Sequence, residues 1–545
     1  MSSGIRFSGM ASGMDTESIV KQLMQAKRFT LNKFTQDKTR TEWKREAYHS
    51  VNKDIATFLL NARKKLGLTD YTYMGKLSPN SINKVDWAKK AKSSDENAIA
   101  VSADSTANTG SIDITVENIA KKATISGTTK LTSTSQFDNT DFKKIVVNGK
   151  EVDLSTVMSY EEASKKIAKE TGLDITFGKV GQTKDSSGAV TETYMFSLST
   201  KETGADQKIT FDESAKKLFE KLGVSTFNGD ATNGYSVSGE NAKYTINGAT
   251  IENSTNNVDI NGLKLTLKNT TKSAVNVSVS TDVDGIYNKI KEFVDDYNKV
   301  VGGLQDKIAE KSYRDYAPLL SEQKEAMKEN DIKLWEEKAK SGLLAKDSNI
   351  SSMLSNVRSG MYEKVSGAGS MYEFGIETGN WKDGAKLNID EKKLKKALSE
   401  DPQKVLDTLF KASDDITDYT IKKGDTAEQI AAKRAGAKAQ REGTGVFVRI
   451  MDDMADGMKS IVTQAGTGKE SSLLKDVRGN IMSGIVSGKS LLEENIKIFD
   501  TRIVEENRRL KTYEDNLWRQ FTAMEKAIQQ MRDQSGWLMQ QVGGQ

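Results

Sequence analysis

Side chains that could carry out chemistry are sparse in this chain of 545 residues. The sequence contains one histidine, His49, and no cysteine. The lack of thiols excludes disulfides, thiolate metal sites and cysteine nucleophiles. A single histidine cannot form a two-histidine metal site, and a Ser-His-Asp arrangement has no support beyond the presence of serine and aspartate. We therefore predict that His49 lies on a helix surface or packs there, without a catalytic role.

Two short motifs resemble ligand-binding loops but lack the residues on which such loops depend. The run Gly466–Glu470 resembles a phosphate-binding loop, yet Thr463 stands in place of its first glycine. Glu470 also replaces the hydroxyl residue that would hold magnesium. The run Asp282–Gly285 resembles the start of a calcium loop, but the twelfth position, which needs a bidentate glutamate, holds Phe293. We predict no catalytic residue, no metal site and no cofactor, and hence a protein that is not an enzyme.

The charge balance and the hydropathy exclude two further classes of protein. The chain carries 80 Lys and Arg against 76 Asp and Glu, a net charge of +4. No basic field covers the molecule, so we predict no nucleic-acid partner. No apolar stretch approaches the ~18 residues that a membrane-spanning helix needs. The first residues lack the apolar core of a cleavable signal peptide. We predict a soluble protein without a membrane span, which could leave the cell only by another route.

The dominant elements are two long amphipathic helices, one near each end of the chain. Apolar residues recur at steps of three and four from Asp15 to Leu66, and again from Leu491 to Trp537. Such steps sum to sevens and form an apolar seam that another helix must cover. We predict that the two helices pair as a coiled coil. The predicted seam residues are Ile19, Leu23, Leu31, Phe34, Ile496, Phe499, Ile503, Leu510, Leu517, Phe521, Met524 and Ile528.

The middle of the chain has a different periodicity. Between Ser93 and Asp282, apolar and polar residues alternate, which indicates half-buried β-strands. The dipeptides Asn148-Gly149, Asn247-Gly248 and Asn261-Gly262 are typical of tight turns between antiparallel strands. The sequence therefore predicts a β-rich region between the two helical ends.

Helical spacing returns after the strands. It resumes at Ile286, whereas the stretch Gly424–Gly479 is rich in Gly, Ala, Lys and Asp, and we predict a looser connection there. The fold class that follows is a multidomain α+β protein. Its terminal helices pair in a coiled-coil stalk, and its β-rich central domains are inserted between N- and C-terminal helical halves.

Several segments, taken in order along the chain, resemble one known family. They are 7–20 (FSGMASGMDTESIV), 41–48 (TEWKREAY), 116–120 (VENIA), 279–298 and 374–394. Together they are similar to the bacterial flagellar filament cap family, also called hook-associated protein 2. Met10 and Met14 stand where that family typically has leucine, which is a mild change. The segment 126–235 is matched least.

The resemblance implies a function in assembly. Such a protein leaves the cell through the flagellar type III export apparatus and forms a homo-oligomeric ring at the distal tip of the filament. There it retains exported flagellin and promotes its folding and insertion. The implied partners are further copies of itself, flagellin, the hook–filament junction proteins and a flagellar export chaperone. We predict that apolar residues at the chain ends contact the filament, namely Ile5, Phe7, Met10, Met14, Trp537 and Leu538.

The resemblance also implies nested domains. They are a terminal coiled-coil domain (1–40 with 488–545), a helical stalk domain (41–78 with 284–487), a first β-rich domain (79–126 with 236–283) and a second, inserted and variable α+β domain (127–235). An alternative from another class is a surface adhesin that binds host glycan or mucin through the β-rich domains. Ligand binding by an isolated β-rich fragment would favour that alternative.

Overall fold

The chain forms two compact units, one helical and one rich in β-strands. The computed structural model describes residues 13–72, 76–132, 137, 140–186, 188, 190–379, 384–478 and 490–542. One unit comprises Met1–Ile82 with Ile286–Gln545, and the other comprises Asn83–Gly285. The strands of the second unit therefore interrupt the helical unit in sequence. The predicted α+β class, with helices at both ends and a β-rich middle, is confirmed.

The helical unit is built around two long helices. Its helices, numbered in chain order, are α1 (Thr16–Lys27), α2 (Phe29–Leu66), α5 (Val283–Ala309), α6 (Ser321–Glu325), α7 (Glu329–Lys340), α8 (Ser348–Tyr362), α9 (Glu391–Glu400), α10 (Pro402–Phe410), α11 (Ala427–Glu442), α12 (Val446–Ala465), α13 (Ser471–Arg478) and α14 (Leu491–Val542). A short hairpin joins β17 (Ile376–Thr378) to β18 (Leu387–Ile389). At about 1.5 Å per residue, the 52 residues of α14 span roughly 78 Å.

The first predicted helix is interrupted at Arg28. The Asp15 carboxylate caps α1 by accepting a hydrogen bond from the Ser18 amide at 3.0 Å. Arg28 stays in the right-handed helical region, but its ψ of −5° differs from the roughly −42° of a regular helix. The Arg28 amide is shared between the carbonyls of Met24 at 3.0 Å and Gln25 at 3.3 Å. Phe29, the first residue of α2, is 74% exposed. A single continuous helix from Asp15 to Leu66 is therefore the wrong description of this segment.

Helix α12 occupies the core of the helical unit. Most of its residues from Val446 to Ala465 are buried, and it packs against α2, α8 and α10. The Phe447 ring lies 4.2 Å from the Phe293 ring of α5 and 5.3 Å from the Phe410 ring of α10, between centroids. The prediction of a loose connection over 424–479 is therefore wrong for α12, which packs against distant helices. Helix α11, in the same stretch, is largely exposed, with Gln440 as its buried residue.

The β unit contains antiparallel sheets around two apolar cores. Its elements are β1 (Lys89–Ser93), β2 (Ile99–Ala103), β3 (Gly110–Asn118), β4 (Lys122–Thr132), β5 (Lys144–Val147), β6 (Lys150–Asp153), α3 (Tyr160–Thr171), β7 (Asp174–Lys184), β8 (Val190–Thr203), β9 (Lys208–Phe211), α4 (Glu213–Lys221), β10 (Asn228–Asp230), β11 (Gly234–Ser238), β12 (Ala242–Ile246), β13 (Ala249–Asn253), β14 (Asn257–Ile260), β15 (Leu263–Leu267) and β16 (Val275–Thr281). One core lies between sheets β1-β16-β3-β12-β13 and β14-β15-β2. The other is formed by sheets β10-β11-β9-β5-β6 and β4-β8-β7 with α3 and α4.

The three Asn-Gly dipeptides adopt the turns that the sequence predicts. Asn148, Asn247 and Asn261 have φ values of 51°, 49° and 50°. Each following glycine also has a positive φ. Two successive positive φ angles define the tight hairpin turn whose twist matches that of the flanking strands. These turns fix the registers of β5–β6, β12–β13 and β14–β15.

Two buried tyrosines should make the helical unit sensitive to alkaline pH. Burial raises the pKa of Tyr48, whose hydroxyl also donates to the Asp347 carboxylate. Burial likewise raises the pKa of Tyr297, whose hydroxyl donates to the Ala385 carbonyl at 2.7 Å. The pKa of each tyrosine is higher in the folded chain than its value of ~10 in the unfolded chain. The stabilisation of the folded state by each tyrosine is therefore complete below pH ~10, and it is lost as pH rises through the folded pKa.

We expect the free energy of unfolding to fall by ~1.4 kcal/mol per pH unit for each such tyrosine above pH ~10. Urea unfolding followed by circular dichroism measures this slope. The useful range is roughly pH 9 to 11.5, which brackets the ordinary tyrosine pKa of about 10. Tyr48→Phe should flatten the slope, whereas Tyr313→Phe, at a 36% exposed position, should not. A stability that does not change over this range would contradict the expectation.

Candidate functional site

The clearest surface of association within the chain is the contact between its two terminal helices. Val20 and Met24 of α1 are buried against Leu510 and Leu517 of α14. The partly buried side chains packed around them are Leu31, Tyr513, Trp518 and Phe521. This contact brings sequence positions almost 500 residues apart onto one apolar cluster, which we call the terminal cluster.

The predicted seam residues are not equally buried. Leu31, Leu510, Leu517 and Phe521 belong to the terminal cluster. Ile496 is also buried. The remaining partly buried seam residues are Ile19, Phe34, Phe499, Ile503, Met524 and Ile528.

One predicted seam residue faces away from the terminal cluster. Leu23 is 39% exposed, and its neighbours Val20 and Met24 take the buried positions instead. Counting seven residues back from Leu31 gives Met24, so the heptad of α2 continues through Arg28, and the predicted position Leu23 is one residue out of phase with it. A heptad counted back from α2 is the signal in the sequence that favours Met24.

Charged and cationic contacts run alongside the apolar seam. The Lys38 ammonium lies 2.6 Å from the Asp500 carboxylate, a hydrogen bond that raises the pKa of Lys38. The Arg502 guanidinium lies 5.7 Å from the centre of the Phe34 ring. These contacts are partly exposed, so each contributes little stability. They do favour one relative position of α2 and α14.

The apolar residues at the chain ends are exposed where the structure describes them. Met14 is 38% exposed, Trp537 60% and Leu538 56%. The other predicted contact residues, Ile5, Phe7 and Met10, lie outside the described residues. Exposed large apolar side chains at the end of a helix are suited to a partner surface.

A partly buried cluster of charges joins α11 and α12 to the end of α8, and no pattern in the sequence indicates it. The Arg441 guanidinium binds the Asp453 carboxylate through two nitrogens, at 2.7 and 2.9 Å. Its third nitrogen lies 2.8 Å from the Glu363 carboxylate. These bonds, led by the one to Asp453, raise the pKa of Arg441. The neighbouring Arg449 is 1% exposed, and burial lowers its pKa. The cluster therefore holds these three helices together.

His49 and the glycine-rich run have a packing role. The His49 ring nitrogen Nε2 lies 2.9 Å from the carbonyl oxygen of Ala465, the last residue of α12. Gly468 approaches the same ring so closely that a Cβ there would lie 2.5 Å from Nδ1. Lys53 of α2 pairs with Glu470 at 3.1 Å. The run Gly466–Glu470 therefore fixes the end of α12 against α2.

Among the described residues, no group of three or more His, Asp or Glu side chains is placed to hold a metal ion. In the same part of the chain, no helix is long and apolar enough to cross a membrane. The surfaces described above are suited to protein–protein contacts.

Comparisons with known proteins agree on one family. The family model described as flagellar hook-associated protein 2 N-terminus matches residues 12–123, and that of the C-terminus matches residues 239–533, more than half of the chain. A flagellar hook-associated protein 2 of Halalkalibacterium halodurans is 29% identical, over 98% of this chain and 99% of that protein. One of Thermotoga maritima is 25% identical, over 74% of this chain and 55% of that protein.

One solved structure that the chain resembles is the crystal structure of the D1-D2-D3 domains of the flagellar cap protein from Escherichia coli. The two chains are 18% identical with a TM-score of 0.46, over 75% of this chain and 95% of that chain. Residues 124–238 lie in neither family-model match.

Proposed function

Because the chain belongs to the flagellar hook-associated protein 2 family, we propose that it caps the flagellar filament. As a cap it forms an oligomer at the filament tip, retains flagellin there and promotes its folding and insertion. The observation that carries this proposal is the pair of family-model matches, in order, at 12–123 and 239–533. Family membership favours capping over the surface adhesin considered from the sequence.

The proposal extends to the export route, the other partners and the domain organisation. The chain reaches the tip through the flagellar type III export apparatus, and its other partners are the hook–filament junction proteins and an export chaperone. The nested domains are 1–40 with 488–545, 41–78 with 284–487, 79–126 with 236–283, and 127–235. Two separate apolar cores in the β unit support a division between the last two, although Ala123 and Ile125 pack in the core of the inserted domain.

The exposed end of α14 supports contact with the filament. Residues 531–539 of α14 are exposed throughout, including Trp537, Leu538 and Met539. Apolar side chains in this number cost solvation free energy unless a partner covers them, and tryptophan often anchors such contacts. We propose that these residues, with Met14 and the predicted contacts Ile5, Phe7 and Met10, bind the filament.

Cells lacking this chain should release flagellin monomer into the medium and swim poorly, and the full chain should restore filaments. Trp537→Gln with Leu538→Gln should restore filaments poorly, because it removes the exposed anchors without touching a buried residue. The measurement is flagellin in the culture supernatant, with filament length by electron microscopy. Gln534→Ala with Ser535→Ala, on the same exposed stretch, is the matched control and should behave as the full chain does.

Normal filaments in cells lacking the chain would overturn the capping function. Normal filaments with the Trp537 and Leu538 variant would remove only the contact at the end of α14. Circular dichroism of the purified variant should match that of the full chain, since both positions are exposed.

A further inference from the structure

Helices α1 and α2 run along α14 in the opposite direction, and two contacts set their register. The Lys38 ammonium of α2 pairs with the Asp500 carboxylate at 2.6 Å. Further towards the N-terminus, the Lys27 ammonium of α1 lies 5.5 Å from the centre of the Tyr513 ring. A step of 11 residues back from Lys38 to Lys27 therefore corresponds to a step of 13 residues forward on α14. The helices are antiparallel and advance nearly residue for residue.

Helix α14 extends well beyond the first residue of α1. The same register places Thr16, which begins α1, level with about residues 524–526 of α14. Helix α14 continues to Val542. Residues 526–542, which span roughly 25 Å at about 1.5 Å per residue, therefore lie beyond α1. Residues 529–539 are exposed throughout. We call residues 526–542 the α14 extension.

The apolar seam of α14 continues into the α14 extension without a change of phase. In the terminal cluster the seam contains Leu510 and Leu517, seven residues apart. Steps of seven, with intermediate positions four residues later, define the face that packs against another helix in a coiled coil. The series of sevens is Leu510, Leu517, Met524, Met531 and Leu538, and the intermediate positions are Phe521, Ile528 and Ser535.

The exposure of this seam rises where α1 ends. Leu517 is buried beside α1, and Ile528 is partly buried. Met531 and Leu538 are 60% and 56% exposed. One continuous apolar face is therefore covered by a helix along the first part of α14 and open to solvent along the α14 extension. Large apolar side chains in water carry an unfavourable hydration free energy, which a second helix on the same face would remove.

The flanks of the seam carry little charge along the α14 extension. Ala527 and Gln534 lie on one side of the seam, and Arg532 and Met539 lie on the other. Arg532 is the charged side chain among these four. Asp533 lies on the opposite side of the helix. A partner of this face is therefore recognised by its apolar residues and needs few charges of its own.

We propose that an amphipathic helix of a filament subunit packs on the seam of the α14 extension, in line with α1 and beyond it. The inference rests on the proposed contact between the end of α14 and the filament, and it names the structure that makes this contact. The partner helix carries apolar residues at steps of three and four, with mostly uncharged flanks. Leu538 lies in the seam, whereas Trp537, turned by about 100° around the helix, lies outside it.

The lack of cysteine permits a direct test, since any introduced cysteine is the only one in the chain. Ser535→Cys places a thiol in the seam, and Asp533→Cys, the matched control, places one on the opposite side of the helix. Each full-length variant carries a nitroxide label on its thiol and is mixed with filaments polymerised from purified flagellin. In the electron paramagnetic resonance spectrum, the label at position 535 should lose mobility on the filaments, whereas the label at position 533 should stay mobile.

A second measurement tests the apolar contact itself. Met531→Gln should weaken cosedimentation of the full chain with the same filaments at least about tenfold, because a methionine that the partner covers is lost. The chain that carries both Met531→Gln and Gln530→Met has the same composition as the original, but its methionine is out of phase with the seam. It should bind no better than Met531→Gln alone. Circular dichroism should be unchanged in both variants, since positions 530 and 531 are exposed.

Three results would overturn the inference. They are equal mobility of the two labels on the filaments, unchanged cosedimentation of Met531→Gln, and a label at position 535 that is already immobile without filaments, which would assign the seam to a second copy of the chain. Flagellin retention in cells is measured separately. Retention with a mobile label at position 535 would reject this seam and keep the capping function. An immobile label on the filaments without retention in cells would do the reverse.

Discussion

Replacing both Leu510 and Leu517 with aspartate should release α1 from α14. The two leucines are each 7% exposed and cover Val20 and Met24 of α1. Removing one buried leucine side chain costs ~2–5 kcal/mol, and burying a carboxylate in its place costs more. Hydrogen exchange of the α1 amides, followed by mass spectrometry, measures the effect. A loss of ~3 kcal/mol corresponds to exchange about two orders of magnitude faster.

The matched control carries the same two aspartates at exposed positions of the same helix. Val504→Asp with Asn516→Asp adds the same charge to α14 without touching the terminal cluster. It should leave the exchange of α1 unchanged. Equal exchange of α1 in both double variants and in the original chain would show that α1 does not depend on these leucines.

Replacing Arg449 with methionine should destabilise the helical unit by ~3–5 kcal/mol, the range for breaking a buried charged contact. The Arg449 side chain donates to the carbonyls of Thr444 at 2.7 Å and of Gly360 and Glu363 at 3.0 Å each. It also lies 3.4 Å from the Glu363 carboxylate. Methionine fills similar space but leaves these buried carbonyls without their donor, which is the larger part of the cost.

Urea unfolding at neutral pH measures this loss, with two variants for comparison. Arg449→Lys keeps the charge but cannot reach three carbonyls in different directions, so it should fall between the original chain and Arg449→Met. Arg434→Met, at an exposed position of α11, should change the stability by less than ~0.5 kcal/mol. Equal stabilities of Arg449→Met and Arg434→Met would show that the buried cluster is not a stabilising contact.

Local patterns in the sequence determined the kind of element along most of the chain. A step of three and four marked the terminal helices, and alternation marked the strands between 93 and 282. The Asn-Gly pairs marked hairpin turns, because two successive positive φ angles are cheap only for such residues. The motifs between residues 7 and 394 also indicated the family, since they depend on short runs of sequence alone.

The tertiary structure decided which face of each helix is buried and which charged side chains are buried. Ile19 with Leu23 and Val20 with Met24 have the same spacing of four residues, but it is the second pair that packs against α14. A periodic pattern shows that a helix has an apolar face, but its exact phase follows from the partner it meets.

The burial of Arg449 is harder still to predict from the sequence. From the sequence, Arg449 is expected at the surface, since burying an isolated charge costs a large desolvation free energy. It is buried because carbonyls from Gly360 and Glu363, almost 90 residues earlier, meet it in space. The sequence determined the elements because each follows from near neighbours. The terminal cluster and the buried charges depend on residues brought together from far apart.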